Sequence, residues 1–201
     1  MGLDMYLKKG KRIPKKSSRQ LVDLADKYSW ISEKDLGRVP TNIKEYLQRG
    51  ESEYCGVHYD LTTEVGYWRK ANEIHEWFVK HIQNGVDECN TYIVPKVALQ
   101  ALLSDCKKVL ASSELKVVGT RVVKDFDKEK NDFVEKTIDK LELADTSVAR
   151  ELLPTQEGFF FGSYEYNEYY VQDLKDTIEI IEKVLAETDF EKEFITYRSS
   201  W

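Results

Sequence analysis

Apolar positions with a spacing of two and with a helical spacing are interleaved along this chain. Between Gly2 and Lys8, Leu3, Met5 and Leu7 alternate with Asp4, Tyr6 and Lys8, the pattern of a half-buried strand. Ser17 or Ser18 is placed to cap a short helix over 20–27, and Pro40-Thr41-Asn42 opens another over 43–48. Residues 54–59 predict a second strand. A longer helix is predicted from Glu64 to Gln83, capped by Thr62 or Thr63 and stopped by Asn84-Gly85. Pro95 suits the first position of the next helix, which gathers Val97, Leu102, Leu103, Cys106, Val109 and Leu110 on one face. Residues 115–124 predict a strand pair around Gly119, with a valine-rich helix as the alternative, and the charged 125–132 segment a loop or helix start. An Asn167 cap begins the last helix, which runs to Ala186 with Tyr170, Leu174, Ile178, Ile181, Val184 and Leu185 on its apolar stripe. Residues 194–201 read as a closing strand whose Trp201 packs into the core.

No βαβ rhythm, internal repeat or Pro/Gly-rich hinge divides this order. It predicts a single α+β domain over 1–201, with a few amphipathic helices packed on a small antiparallel sheet that includes both terminal strands.

Composition narrows the function classes. Thirty Lys and Arg against thirty-six Asp and Glu leave a net charge of −6, which argues against extended nucleic-acid binding. The basic cluster of Lys8, Lys9, Lys11, Arg12, Lys15, Lys16 and Arg19 reads as a solvated segment. Cys55, Cys89 and Cys106 are widely spaced and form no CxxC, and the Cys55/His58 pair is too few ligands for zinc. No motif calls for a cofactor or metal. No apolar leader or membrane-length run occurs, and Tyr6 stands where a myristoylation signal needs Ser or Thr. A reducing cytoplasm is the expected setting.

Chemistry is expected to concentrate on the 64–83 helix. At about 100° per residue, Tyr67, Trp68, Ala71, Ile74, Phe78, Val79 and Ile82 share one stripe. Glu64 and His75 project into it, Asn72 sits at its edge, and Arg69, Glu73, Glu76 and Lys80 lie opposite. Polar groups inside an apolar stripe need partners, because an unpaired buried one costs a few kcal/mol. They serve either as satisfied core groups or as one wall of a pocket. In the pocket reading Glu64, Trp68, Asn72 and His75 stack a ring and bond its edge. Arg69 and Lys70 then meet phosphates or carboxylates, assisted by Tyr67. Trp77, on the charged side, implies a second packing layer or a subunit contact.

The opposite wall is expected from the segment before the last helix, where seven aromatics fall within residues 159–170. Phe159–Phe161 between Gly158 and Gly162 reads as a short buried strand, and Phe161, Ser163 and Tyr164 face the pocket. His58, His75 and His81 have no nucleophile context, and GxSxG and HExxH are absent, so catalysis is not expected.

Several segments together resemble a family of small phage and prophage proteins without an assigned activity. These are Met1-Gly-Leu-Asp-Met-Tyr-Leu7, Tyr67-Trp-Arg-Lys-Ala-Asn72, Gly158-Phe-Phe-Phe-Gly-Ser163 and Tyr197-Arg-Ser-Ser-Trp201. The resemblance implies action in a bacterial host cytoplasm and carries over no catalytic residue. With the residue chemistry it leads to an expected oligomeric, non-catalytic binder of a small ligand, of the nucleotide type used in host defence signalling. The alternatives are a protein-interaction module anchored by Trp77 and a nucleotide-processing enzyme using Glu64 and His75.

Overall fold

The two ends of the chain lie side by side as neighbouring strands. The computed structural model describes residues 2–54, 56–128, 131–158 and 160–201. Strand β1 (Asp4–Lys11) is followed by helix α1 (Ser18–Lys27), where Ser17 and Gln20 form a reciprocal capping box. Strand β2 (Ile31–Ser32), a 3-10 helix over Glu33–Arg38, a short helix α2 (Thr41–Lys44), β3 (Gln48–Ser52) and β4 (Gly56–Asp60) come next. Then follow β5 (Thr62–Arg69), α3 (Asn72–His81), β6 (Tyr92–Val94) and α4 (Lys96–Ser112). A long hairpin of β7 (Leu115–Asp127) and β8 (Asp132–Leu143) leads to α5 (Ser147–Leu152), α6 (Glu168–Glu187) and β9 (Glu193–Ser200).

The fold is α+β. Its main sheet runs β5-β1-β9-β6, every neighbour antiparallel, so both terminal strands are in it. Strands β2-β4-β3 make a second sheet and β7-β8 a third. Met5, Leu7, Trp68 and Tyr197 point from the main sheet into a large cluster with α3, α4 and α6. Phe194 joins a smaller cluster with Ile13, Leu21, Ala25, Ile43 and Leu61 from the segments around α1 and α2.

The stretch from Glu64 to Gln83 is not one helix. Its first part is β5, paired with β1 from Arg69 opposite Asp4 to Thr62 opposite Gly10. Thr62, Thr63, Val65, Tyr67 and Trp68 are β-branched or aromatic, and their side chains suit a pleated surface better than a helix. Gly66 has a packing reason there, since a Cβ at that position would lie 2.5 Å from Ile180 Cγ2 of α6. Lys70 turns the chain at φ 64°, and α3 begins at Asn72.

Other boundaries shift for local reasons. Pro95 is the N-cap of α4 rather than its first residue. Gly119 marks a β-bulge inside β7, not a turn, and the partner strand is β8; of the charged 125–132 segment, expected as a loop or helix start, residues 125–127 end β7 and Asp132 opens β8. Trp201 is 53% exposed rather than packed, and it donates from Nε1 to Asp87 Oδ1 at 3.1 Å.

Candidate ligand cavity beside the β5–α3 junction

The turn at Lys70 and one buried amide create the site. Lys70 N–H donates to Leu3 O at 2.8 Å, which ties the turn to the start of β1. Asn72 Nδ2 donates to Phe161 O at 3.2 Å and to Ser163 O at 2.8 Å, while its Oδ1 accepts from Gln156 N–H at 2.8 Å. The fully buried Asn72 therefore clamps the 156–163 loop over the end of β5. Gly162, at φ 102°, makes the close approach, because a Cβ there would lie 2.9 Å from Lys70 O. Phe160 in the same loop also sits at positive φ, 72°.

This docking leaves a cavity of about 680 Å³, within the usual range for a small-molecule site. Its lining combines Arg69, Lys70, Gly158, Phe160, Ser163 and Tyr164 with Glu73, Glu165, Asn167, Tyr169, Tyr170 and Asp173. Asn167 holds its part by capping α6, accepting from the N–H groups of Tyr169 and Tyr170. Tyr170 is tied down through its hydroxyl, which donates to Leu153 O at 2.9 Å.

Three carboxyl residues, Glu73, Glu165 and Asp173, line the cavity, and Glu165 is paired with Lys140 at 2.9 Å. Glu73 is 2% exposed and its Oε1 has no hydrogen-bond partner among the described residues. Burial, reinforced by the charge of Asp173, holds the Glu73 carboxyl well above the usual carboxylate range. Asp173, on α6, is pushed up to about 7 by burial and by Asp176. Two such groups in one site do not both ionise easily, so at neutral pH the pair tends to keep a proton. Arg69 and Lys70 bring positive charge to the same cavity, and Arg69 Nε lies 3.9 Å from Asp4 Oδ1.

Of the residues singled out in the sequence, Arg69, Lys70, Ser163 and Tyr164 line this cavity. Asn72 and Phe161 stand behind it. Phe161 is buried outside any strand, and Phe159 lies outside the described residues. Trp68 belongs to the core, donating from Nε1 to Thr177 Oγ1 at 2.9 Å. Tyr67 is on the other face of β5, where its hydroxyl donates to Asp4 Oδ1 at 2.5 Å. Exposed Glu64 faces a separate cleft of about 470 Å³, with Tyr6, Lys8, Trp30 and Arg198.

His75 is fully buried, its Nδ1 2.7 Å from the Tyr197 hydroxyl and its Nε2 3.0 Å from Asp87 Oδ1. Burial lowers its pKa, partly opposed by Asp87, so the neutral ring donates to the carboxylate and accepts from the phenol. Both nitrogens are occupied, and no Glu64–His75 acid/base pair forms. Trp77 is 3% exposed in the layer between α3 and α4, and its Nε1 donates to Asp105 Oδ2 at 3.2 Å.

Glu73 was expected opposite the apolar stripe and is instead buried. Its face, shared with Trp77 four residues on, is packed as well, so that α3 is buried on both sides. Asp173 had a similar signal, three residues after Tyr170 and four before Thr177, both buried on α6. Among the described residues, no group of three or more His, Cys, Asp or Glu is arranged to hold a metal ion. None of the described helices is long and apolar enough to cross a membrane. No family model, curated protein or solved structure matches the chain.

Proposed function

We propose that this protein binds a small, nucleotide-type ligand in the cavity between β5, α3 and the 158–164 loop, and that it does so without catalysis. The observation that carries this reading is the buried Glu73 carboxyl. Its Oε1 lacks a partner among the described residues, in a cavity that also holds two cations and several aromatic rings. A buried polar atom left unpaired costs about 1–3 kcal/mol, and a bound donor would recover that. Two residues in left-handed backbone, Lys70 and Phe160, border the same space, and such strain gathers at ligand sites. Trp77, the anchor expected of a protein-interaction module, is spent inside the core, which weighs toward a small ligand.

The resemblance to phage and prophage proteins gives the binding a setting in the host cytoplasm. Holding a nucleotide-type defence signal away from its receptor needs affinity and no reaction.

Native mass spectrometry of the protein purified from bacteria, followed by denaturing release, tests the proposal. A nucleotide-sized adduct that disappears in Arg69→Ala is expected, and the same spectrum reads the oligomeric state. A bare chain mass, unchanged after incubation with a bacterial small-molecule extract, would overturn it.

A further inference from the structure

We infer that Glu73 and Asp173 receive a planar edge with two adjacent N–H donors, as in guanine, while Arg69 and Lys70 hold the ligand's anionic group. This rests on the binding reading above and adds the ligand's chemistry and orientation.

The charge layout limits what fits. A metal ion would need more ligands than two carboxyl groups, and no larger acidic or His/Cys group is arranged for one among the described residues. A polycation would satisfy the carboxyls but meet Arg69 and Lys70 in the same cavity. A simple phosphate would suit the cations and leave the buried Glu73 oxygen unpaired. The ligand must therefore be bipolar, rich in donors at one end and anionic at the other.

Hydrogen-bond counting narrows the donor end. Two carboxyl groups offer more acceptor lone pairs than donors, whichever of them carries a proton. An edge with more donors than acceptors matches them. Guanine presents ring N1–H and the 2-amino group side by side with only O6 as acceptor. Uracil presents two acceptors around one N–H, and hypoxanthine lacks the 2-amino group. Burial raises both carboxyls, with Asp173 adding to the effect on Glu73 and Asp176 to that on Asp173, and a donor edge in the cavity would stabilise their ionised form.

The guanidinium of free arginine shares the donor pair and carries a carboxylate. The flanking rings favour the base: Phe160 is 47% and Tyr169 57% exposed, both line the cavity, and the Arg121 guanidinium lies 5.2 Å over the Tyr169 ring. Flat aromatic faces beside a donor-seeking edge suit a purine better than a flexible side chain.

Calorimetric titration with GMP, IMP, AMP, UMP and L-arginine tests the inference on the full chain. GMP is expected to bind at least tenfold more tightly than IMP, AMP or UMP. Glu73→Gln places an amide N–H against the ligand's N–H and should remove most of that preference. Arg69→Ala should instead weaken all the nucleotides together. Asp173→Asn repeats the test at a half-buried position if Glu73→Gln unfolds. Tight arginine with weak GMP would keep the donor-pair assignment and change its source. Equal affinity for GMP and IMP would overturn the inference and leave the binding proposal standing. Should no ligand of the panel bind while native spectra still carry an adduct, the donor-pair assignment fails alone.

Discussion

The Tyr197 hydroxyl lies 2.7 Å from His75 Nδ1, and Phe78 stacks on the Tyr197 ring at 3.9 Å between centroids. This contact joins the last strand to α3, and Asp87 extends it to Trp201. His75 is thus a structural bridge. His75→Ala should cost about 3–5 kcal/mol, from a cavity plus two orphaned partners. Tyr197→Phe should cost about 1–3 kcal/mol, because it leaves a buried ring nitrogen unpaired. Urea denaturation measures both, and a His75→Ala protein as stable as wild type would contradict the bridge.

Trp68 and Arg69 are neighbours on β5 that point to opposite sides. Trp68→Ala should destabilise the fold by about 3–5 kcal/mol, since it empties a core position and strands Thr177. Arg69→Ala should change stability by less than about 0.5 kcal/mol and act on ligand affinity instead. Paired melting and binding curves separate the two roles. Comparable melting losses in both variants would mean that Arg69 is structural.

Gly162 is needed where it stands. Alanine at φ 102° is strained, and its Cβ would press on Lys70 O. Gly162→Ala should cost about 2 kcal/mol or more. Because the loop would lift from Asn72, ligand affinity should fall along with the melting temperature. Intact affinity in this variant would show that the docked loop does not shape the cavity.

The raised carboxyl of Asp173 sets a pH dependence. Its folded value of about 7 lies above an unfolded value of about 3.9, so between these the native state binds more protons. Its contribution is present below about pH 4 and is lost as pH rises through about 7. Glu73 acts in the same direction, while His75, with a lowered pKa, acts in the opposite one. Asp173→Asn should therefore flatten the decline in stability from pH 4.5 to 7.5. Denaturation midpoints at both pH values give the readout, and an unchanged slope would count against the assignment.

Elements with one dominant local signal were legible in the sequence. The alternation around Leu3, Met5 and Leu7 gave β1, and the Asn167 cap with its apolar stripe gave α6 nearly to the residue. The 64–83 segment misled because Tyr67, Trp68, Ala71 and Ile74 satisfy a helical spacing. In the same stretch Thr62 to Arg69 also alternates, and pairing with β1 supplies backbone hydrogen bonds that a helical period cannot reveal. Of the residues that line the cavity, Arg69, Lys70, Ser163 and Tyr164 had been singled out by their chemistry, and Glu73 and Asp173 had not.

The sequence by itself determined the α+β class, the pairing of the chain ends and the segments that meet at the cavity. Those follow from periodicity, caps and aromatic density, all local properties. The tertiary structure alone decided which side of each element faces inward. Helix α3 is packed on nearly all of its faces, and only the tertiary contacts show this: they make His75 a satisfied core group and put Glu73, on the face that reads as surface, in the lining of one cavity with Asp173, a hundred residues away.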